Sequence, residues 1–150
     1  MAKQKAITAV NSLIIKDNKV LLLKRANTGY CDGMYGVPAG HIDDLELGST
    51  AMLRELKEEI NLNLTPKDIK QVCTVHKLQK DCVYIHYFFK ISNFNIQDIK
   101  NNEPEKCDEL AWFDLDNLPE ITQTYVKKAI ETVIKGEIFF EDDFSYLKGE

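Results

Sequence analysis

The sequence lacks the features that mark membrane and secreted proteins. It contains no run of about 18 apolar residues, the length that a membrane-spanning helix needs. Its first residues do not combine a basic segment, an apolar segment and a small-residue cleavage site, which together make a secretory signal. We therefore expect a cytoplasmic protein that has no membrane partner.

Cysteine and histidine are scarce and widely spaced. The four cysteines, at positions 31, 73, 82 and 107, include no CxxC pair, and the three histidines show no zinc-ligand spacing relative to them. This spacing argues against a zinc finger and against a dithiol redox motif. We expect reduced thiols with mostly structural roles.

Positive charge is also in short supply. The chain has 19 Lys and Arg residues against 24 Asp and Glu residues, so its formal net charge is −5. General binding to nucleic acids needs a basic surface that neutralises phosphates, and this balance argues against it. A polyphosphate substrate would have to be met by local cations. The two arginines of the chain are Arg25 and Arg54.

The chain does contain enough apolar sequence for one folded domain. Of its 150 residues 44% are hydrophobic, and no change of composition marks a linker before residue 135. We expect a single domain over residues 1–150, with the tail, residues 136–150, left unplaced. Three roles are open for that tail: packing on the domain, covering a cleft, or forming the contact of a homodimer.

Hydrophobic patterns predict strands and two helices. Residues 6–15 and 19–25 are β-branched and aliphatic runs on either side of a Lys-Asp-Asn turn, which predicts a hairpin. Further strands are predicted at 69–78, 82–91 and 109–115, and a helix at 122–135. A second helix, described next, precedes these strands. The two helices are enough to cover the two faces of a mixed β-sheet. The pattern favours an α/β fold, a three-layer α/β/α sandwich.

The other predicted helix carries three glutamates on one face. At about 100° per residue, an apolar set occupies one arc, and Glu55, Glu58 and Glu59 occupy the neighbouring arc. Ser49 suits the N-cap, and Asn61 suits the left-handed residue that ends a helix. The apolar set consists of Met52, Leu53, Leu56 and Ile60.

Without a counter-charge, the three glutamates on this face destabilise the helix. Glutamates three or four residues apart repel by roughly 0.2–0.5 kcal/mol per pair, and Glu58 and Glu59 lie near the negative end of the helix dipole. A bound divalent cation would remove both penalties. Two segments precede the helix and offer further oxygen ligands. One is a glycine-rich stretch, residues 29–40, and the other is a second acidic group, Asp43, Asp44 and Glu46.

Residues 40–62 read GHIDDLELGSTAMLRELKEEINL. This segment resembles the signature of the Nudix hydrolases, which is G, five residues, E, seven residues, then REUXEEXGU, where U is a bulky aliphatic residue. The resemblance extends over most of residues 6–135 and is greatest to MutT-like bacterial members. The single departure from the signature is Asn61 in place of glycine, and asparagine tolerates the same left-handed conformation. The matching positions are Gly40, Glu46, Arg54, Glu55, Leu56, Glu58, Glu59 and Leu62.

The resemblance implies a metal-dependent active site. In the family, the glutamates that match Glu55, Glu58 and Glu59 coordinate the metal, helped by the backbone carbonyl at the position of Ala39. Hard oxygen ligands suit Mg²⁺ or Mn²⁺. Glu58 and Glu59 are the predicted main ligands, and Glu55 is a ligand or the general base. Arg54 would hold Glu55 in place, because a guanidinium can grip a carboxylate at two points.

Relatives often add a further carboxylate from a loop near the closing strand. The corresponding connection here, residues 92–108, is long and offers two glutamates, Glu103 and Glu105. We choose Glu105 as the catalytic candidate. Glu46, although it belongs to the signature, is expected to be structural.

Three residues outside the acidic set are candidates for substrate binding. Arg25 ends an apolar run, and His41 follows the first glycine of the signature. Because of these positions, both are candidate phosphate contacts. Tyr35, in the glycine-rich stretch, is a candidate for stacking on a nucleobase. His76 and His86 lie in strand patterns, and we expect packing or surface roles for both.

The predicted activity is that of a Mg²⁺-dependent pyrophosphohydrolase that cleaves a nucleoside diphosphate linked to another moiety. Nucleoside triphosphates are the first choice of substrate, with a nucleoside monophosphate and pyrophosphate as products. Two alternatives use the same fold: a catalytically silent nucleotide-sensing module, and an isomerase of isopentenyl diphosphate with extra cysteine and glutamate catalysts. Retention of all three glutamates argues against the silent module. Neither Cys31 nor Cys73 stands in a recognisable nucleophile context, which argues against the isomerase.

Overall fold

A computed structural model describes residues 1–143 of the chain. The helices in this range are α1 (Gly48–Ile60) and α2 (Thr124–Ile134). Neither is long and apolar enough to cross a membrane, so the described residues contain no candidate span. The strands are β1 (Ile7–Leu13), β2 (Ile15–Lys16), β3 (Lys19–Arg25), β4 (Tyr35–Gly36), β5 (Ala39–His41), β6 (Ile69–Leu78), β7 (Val83–Ile91), β8 (Cys107–Asp114) and β9 (Phe139–Asp142).

The strands form two sheets. A five-stranded sheet has the order β5-β1-β7-β6-β9, in which β1 is parallel to β7 and β6 is parallel to β9, while the other pairs are antiparallel. In a four-stranded sheet, β3 pairs antiparallel with β2, β4 and β8. The predicted mixed sheet is therefore confirmed, although the β layer is divided into two sheets.

Side chains of the strands alternate between two apolar cores, one beneath each helix. On β3, Val20 and Leu22 belong to the core beneath α2, whereas Leu21 between them belongs to the core beneath α1. Phe88 and Phe89 on β7 divide in the same way. One helix therefore covers each face of the β layer, which confirms the predicted three-layer α/β/α sandwich.

The hairpin predicted for the first two strands is only partly right. Its turn is present, since Asp17 and Asn18 adopt φ values of 52° and 62° and β2 pairs with β3 on either side of them. The preceding strand β1, however, pairs with β5 and β7 in the other sheet. The chain changes sheet at Ile14, whose carbonyl accepts the N–H of Leu21 at 3.0 Å. Hydrophobic periodicity predicted the strands but carried no information on which sheet each joins.

The other predicted elements are confirmed with small changes at their ends. β6 and β7 form the second strand pair, β8 begins at Cys107 rather than at residue 109, and α2 lies within the predicted helical range. Part of the tail packs on the domain, because β9 adds to the edge of the five-stranded sheet beside β6. The predictions for residues 144–150 lie outside the described residues.

Candidate active site

Helix α1 turns one face to the core and its three glutamates to an open cleft. Glu55, Glu58 and Glu59 all line this cleft. The prediction that Ser49 is the N-cap is wrong, because the helix begins at Gly48 and the preceding residue makes no side-chain cap hydrogen bond. The buried residues of the helix are Ala51, Met52, Leu56 and Ile60.

The end of α1 agrees with the prediction for Asn61. This residue has φ 65° and ψ 25°, the left-handed conformation that the motif needs where the family has glycine. Its N–H donates to the carbonyl of Lys57 at 3.2 Å, and the N–H of Leu62 donates to that of Leu56 at 3.1 Å. The Asn61 side chain also donates to the carbonyl of Asp98 at 3.1 Å, a bond that glycine could not make.

Arg54 draws the carboxylates around it into one network. Its Nε and Nη2 donate to the two oxygens of Glu46 at 2.8 and 2.9 Å, and its Nη1 donates to Glu55 at 2.8 Å. Nη2 also donates to the carbonyl of His41 at 3.1 Å, which ties the helix to the end of β5. The two-point bond to Arg54 lowers the pKa of Glu46 to about 2. Glu46 therefore stays ionised and holds the guanidinium beside Glu55.

Glu55 is confined between Arg54 and the backbone of Gly40. Its side chain is 13% exposed. A Cβ atom added to Gly40 would overlap the Glu55 carboxylate, so a larger residue at this position would require the Glu55 side chain to move. Burial raises the pKa of Glu55, and the hydrogen bond from Arg54 acts in the opposite direction.

The carboxylate of Glu59 lies against the first residue of β5. The Ala39 N–H donates to its Oε2 at 3.0 Å. Burial raises the pKa of Glu59 well above its ordinary value, and the negative charge of Glu55 raises it further, against the effect of the Ala39 N–H. Two largely buried carboxylates beside each other are an electrostatic environment that a divalent cation would stabilise.

Glu103, rather than Glu105, joins these carboxylates. The N–H of Asn102 donates to the carbonyl of Glu59 at 3.0 Å, which ties the loop before β8 to the end of α1. Glu103 lines the cleft, and its charge adds to the effect of burial on the pKa of Glu55 and Glu59. Glu105 is exposed and lies outside the cleft lining. The choice of Glu105 is therefore corrected, because the sequence contained both acids but not the backbone bond that orients the loop.

The cleft has a volume of about 640 Å³, within the range of pockets that hold small molecules. Its acidic end is formed by Glu55, Glu58, Glu59 and Glu103. Its other end is polar and aromatic, and we call it the polar end; it is lined by Asn11, Lys77, Tyr84, His86, Gln123 and Tyr125. A candidate metal site thus lies in the same cleft as a surface suited to an organic group.

Two of the three predicted substrate contacts lie in this cleft. Arg25 lines it, and its Nε donates to the carbonyl of Tyr30 at 2.9 Å, which fixes the guanidinium against the glycine-rich loop. His41 also lines it, with Nε2 at 3.3 Å from the hydroxyl of Tyr84. Their contact with a substrate stays a prediction.

Tyr35 lies in the core and not in the cleft. It is 8% exposed, its ring centroid is 5.0 Å from that of Phe113, and its hydroxyl donates to Glu109 at 2.7 Å. The prediction that Tyr35 stacks on a nucleobase is therefore wrong. The glycine-rich sequence indicated an exposed loop, but Tyr35 opens β4 and pairs with Lys24, and its ring packs in the core beneath α2.

The polar end of the cleft includes residues that the sequence analysis did not identify as functional. His86, expected in a packing or surface role, is 6% exposed and lines the cleft. Lys77 is 4% exposed and shares one phase of β6 with the core residues Cys73 and Val75. A lysine in the apolar phase of a strand was the one signal in the sequence that could have pointed to this end.

The acidic end fits a hard divalent cation in the chemistry of its donors, which are carboxylate oxygens. Within residues 1–143, however, no three His, Cys, Asp or Glu side chains are gathered around one point as a finished metal site. In this arrangement Glu55 accepts a hydrogen bond from Arg54, and Glu59 accepts one from the Ala39 N–H.

Cys107 lines this cleft, whereas the two cysteines considered for the isomerase alternative, Cys31 and Cys73, do not. All four cysteines are free, as expected. Cys73 is fully buried in the core beneath α2, and burial raises its pKa to about 11. Cys31 is not among the described residues that line the cleft. The isomerase alternative therefore has no structural support from these two thiols.

Comparison with known proteins identifies a family pattern that spans most of the chain and relatives that align with different shares of it. The NUDIX domain pattern matches residues 5–133. The ADP-ribose pyrophosphatase of Methanocaldococcus jannaschii is 34% identical over 122 residues, which cover 79% of this chain and 68% of that protein. The 8-oxo-dGTP diphosphatase of Proteus vulgaris is 34% identical over 65 residues, which cover 43% of this chain and 58% of that protein.

Solved structures share the same fold. A MutT NUDIX hydrolase from Burkholderia pseudomallei superposes with a TM-score of 0.77 at 26% identity, covering 87% of this chain and 99% of that one. The NUDIX domain of Shewanella oneidensis NrtR, solved with ADP ribose, gives a TM-score of 0.69 at 22% identity and 89% coverage of each chain. With the pattern matched over residues 5–133, this chain belongs to the Nudix family and is a hydrolase of phosphoric anhydrides.

Proposed function

We propose that this protein is a Mg²⁺-dependent pyrophosphohydrolase that cleaves a nucleoside diphosphate linked to another moiety. The observation that carries the proposal is the acidic end of the cleft. There, burial raises the pKa of Glu55 and Glu59, and Glu103 adds a further carboxylate. Mn²⁺ could replace Mg²⁺, because both ions prefer oxygen ligands in similar geometry.

Each residue of the acidic end has a proposed role. Glu58 and Glu59 are the main metal ligands, together with the backbone carbonyl of Ala39. Glu55 is a ligand or the general base that takes a proton from the attacking water. Arg54 orients Glu55 through the 2.8 Å hydrogen bond between them. A bound divalent ion would neutralise phosphate oxygens and lower the pKa of water.

Nucleoside triphosphates are the proposed substrates. The oxygen of water forms a bond to phosphorus, the bridge between the α and β phosphates breaks, and a proton of the water passes to the general base. The products are a nucleoside monophosphate and pyrophosphate. Arg25 is the proposed cation for the phosphates and His41 a neighbouring polar contact, because both line the cleft and the chain as a whole is acidic.

ADP-ribose is a second candidate. It is favoured by the relative from Methanocaldococcus jannaschii, an ADP-ribose pyrophosphatase that aligns with 79% of this chain. The two candidates differ in their products. A nucleoside triphosphate would release pyrophosphate, whereas ADP-ribose would release AMP and ribose 5-phosphate.

A substrate screen tests the proposal. Nucleoside triphosphates and ADP-ribose would be incubated with the full chain in Mg²⁺, in Mn²⁺ and in chelator, and the products separated by chromatography. We expect hydrolysis that needs a divalent ion and that falls by about 100-fold or more in kcat for Glu58→Gln and Glu59→Gln. Glu105→Gln, the same change outside the cleft, is the matched control.

Two outcomes would contradict the proposal. One is binding of nucleotides by the folded wild type without hydrolysis of any of them, which would favour the silent sensing module. The other is full kcat in Glu59→Gln, which would remove that carboxylate from the reaction.

A further inference from the structure

The polar end of the cleft contains a ring nitrogen that no described protein group satisfies. His86, on β7, is 6% exposed, and its Nε2 is buried without a hydrogen-bond partner among residues 1–143. A buried polar atom left unpaired costs free energy, and most such atoms have partners. Because His86 lines the cleft, a ligand bound there could supply the missing partner.

The neighbours of His86 determine which ring nitrogen carries the proton. The hydroxyl of Tyr125 donates to Oδ1 of Asn11 at 3.0 Å, and Nδ2 of Asn11 lies 3.1 Å from Nδ1 of His86. The Asn11 amide therefore donates to Nδ1, which acts as the acceptor. Burial lowers the pKa of His86 to about 3, so the ring is neutral. A neutral ring with an accepting Nδ1 has its proton on Nε2, and the unsatisfied atom is a donor.

Aromatic contacts hold the ring in this orientation. Tyr84 stacks on His86 with centroids 5.2 Å apart and planes 11° apart. The ring of Tyr125 lies 4.5 Å from it. The direction of the Nε2–H bond is thus set by packing as well as by the bond from Asn11.

A second donor, Lys77, belongs to the same end of the cleft. It is 4% exposed, lines the cleft, and has its Nζ 4.5 Å from the ring centroid of Tyr125. It forms no salt bridge within the described part of the chain. Burial lowers its pKa, and the charge of Asp142 acts against that effect. An ammonium group has three donors and no acceptor, so this end of the cleft offers at least two donors.

We propose that His86 and Lys77 form a nucleobase subsite that selects a base edge with two adjacent hydrogen-bond acceptors. O6 and N7 of guanine or hypoxanthine meet this requirement, and O2 and N3 of cytosine meet it in a smaller ring. Adenine does not, because its N6 amino group would place a donor against a donor. The inference rests on the proposed function, since it names the base of the nucleotide that the cleft would hydrolyse.

Sheet geometry supports this placement of the base relative to the diphosphate. Ala39, whose N–H holds Glu59, pairs with Asn11 in the ladder between β5 and β1, and β7 is the next strand. At about 4.8 Å per strand, β7 lies about 10 Å from β5. The sugar of a nucleotide would cross this interval, with the base at His86 and the phosphates at the acidic end.

Binding of nucleoside monophosphates tests the subsite without turnover. Calorimetric titration of the full chain with GMP, IMP, CMP and AMP should give at least about tenfold tighter binding of a two-acceptor nucleotide than of AMP. The comparison of GMP with CMP then decides between purine and pyrimidine. His86→Phe keeps an aromatic ring but removes the donor. In this variant the Kd for AMP should be close to the Kd for the preferred two-acceptor nucleotide, so their ratio should be close to one.

Further variants separate recognition from packing. His86→Gln retains an N–H donor and should keep part of the preference, whereas Lys77→Met should reduce it. His76→Phe and Lys70→Met are matched changes on the same strand pair outside the cleft, and should leave the ratio unchanged. Circular dichroism would establish that each variant is folded. If a variant does not fold, the ratio of the Kd for AMP to the Kd for a two-acceptor nucleotide in the wild type still tests the subsite.

Several results would overturn the subsite. These are equal affinity for AMP and the two-acceptor nucleotides, tightest binding of AMP, an unchanged ratio in folded His86→Phe, or no binding of any monophosphate. The proposed function is tested separately, by the hydrolysis assay. A preserved preference for GMP without hydrolysis would overturn the activity alone, and hydrolysis without base preference would overturn the subsite alone.

Discussion

Replacing Glu59 with glutamine should make the metal-free protein more stable while removing most of its activity. Glutamine has the same shape and can still accept the Ala39 N–H, which lies 3.0 Å from the carboxylate. Loss of the charge ends the repulsion with Glu55 one turn away, about 0.2–0.5 kcal/mol even on an exposed helix, and it also removes the burial penalty on the carboxylate. We expect the free energy of unfolding to rise by at least about 0.5 kcal/mol, or about 1–2 °C in Tm for a chain of this size.

The sign of the pH dependence follows from the direction of the pKa shift. The pKa of Glu59 in the folded protein lies well above its ordinary value of 4.5, so the folded state binds this proton more tightly than the unfolded state. The stability contributed by the protonated carboxyl is present below pH 4.5 and is lost as the pH rises through the raised pKa. The advantage of Glu59→Gln over the wild type should therefore grow above pH 4.5.

Unfolding in chelator at several pH values, together with kcat in Mg²⁺, measures both effects. Mg²⁺ at 100 times its Kd should stabilise the wild type by about 2.7 kcal/mol, and the variant much less. Glu105→Gln should change neither stability nor kcat by a comparable amount. The reasoning is refuted if Glu59→Gln is less stable than the wild type in chelator at neutral pH, since the carboxylate would then be a structural group.

Three further predictions concern the surroundings of Glu55. Gly40→Ala places a Cβ in the volume of the Glu55 carboxylate, so kcat/KM should fall by about tenfold or more, and an unchanged value would show that Glu55 can move at no cost. Glu103→Gln should lower kcat by about tenfold, measured beside Glu105→Gln, and equal activity of the two would remove Glu103 from the site. Arg54→Lys loses the two-point bond to Glu46, so the pKa of that carboxyl should rise from about 2 toward 4.5. The stability that Glu46 contributes above pH 4.5, and loses as the pH falls toward 2, should then be smaller. An acid-unfolding midpoint equal to that of the wild type would contradict this assignment.

Features that depend on neighbouring residues along the chain were predictable from the sequence. The period of the apolar residues in α1 predicted which face is buried, and it also predicted that Glu55, Glu58 and Glu59 share the neighbouring face. The structure shows that this face lines a cleft. The left-handed conformation of Asn61 followed from its residue type at a helix end. The layers were predictable as well, because two amphipathic helices have to cover the two faces of a β layer.

The polar end of the cleft was decided by tertiary structure alone. Its central bond joins Asn11 to His86, which are 75 residues apart in the chain, and a parallel pair of strands brings them together. No local pattern distinguishes a buried histidine whose two ring nitrogens both have partners from one whose second nitrogen has none.

The sequence by itself determined which residues can carry charge and on which face of a helix or strand they lie. Only the tertiary structure decided which of these faces meet. The bond from Asn102 to the end of α1 selects Glu103 over Glu105, and the pairing of β4 with β3 puts Tyr35 in the core. The physical reason is that periodicity is a property of adjacent residues, whereas a site is made by backbone hydrogen bonds and packing between distant ones.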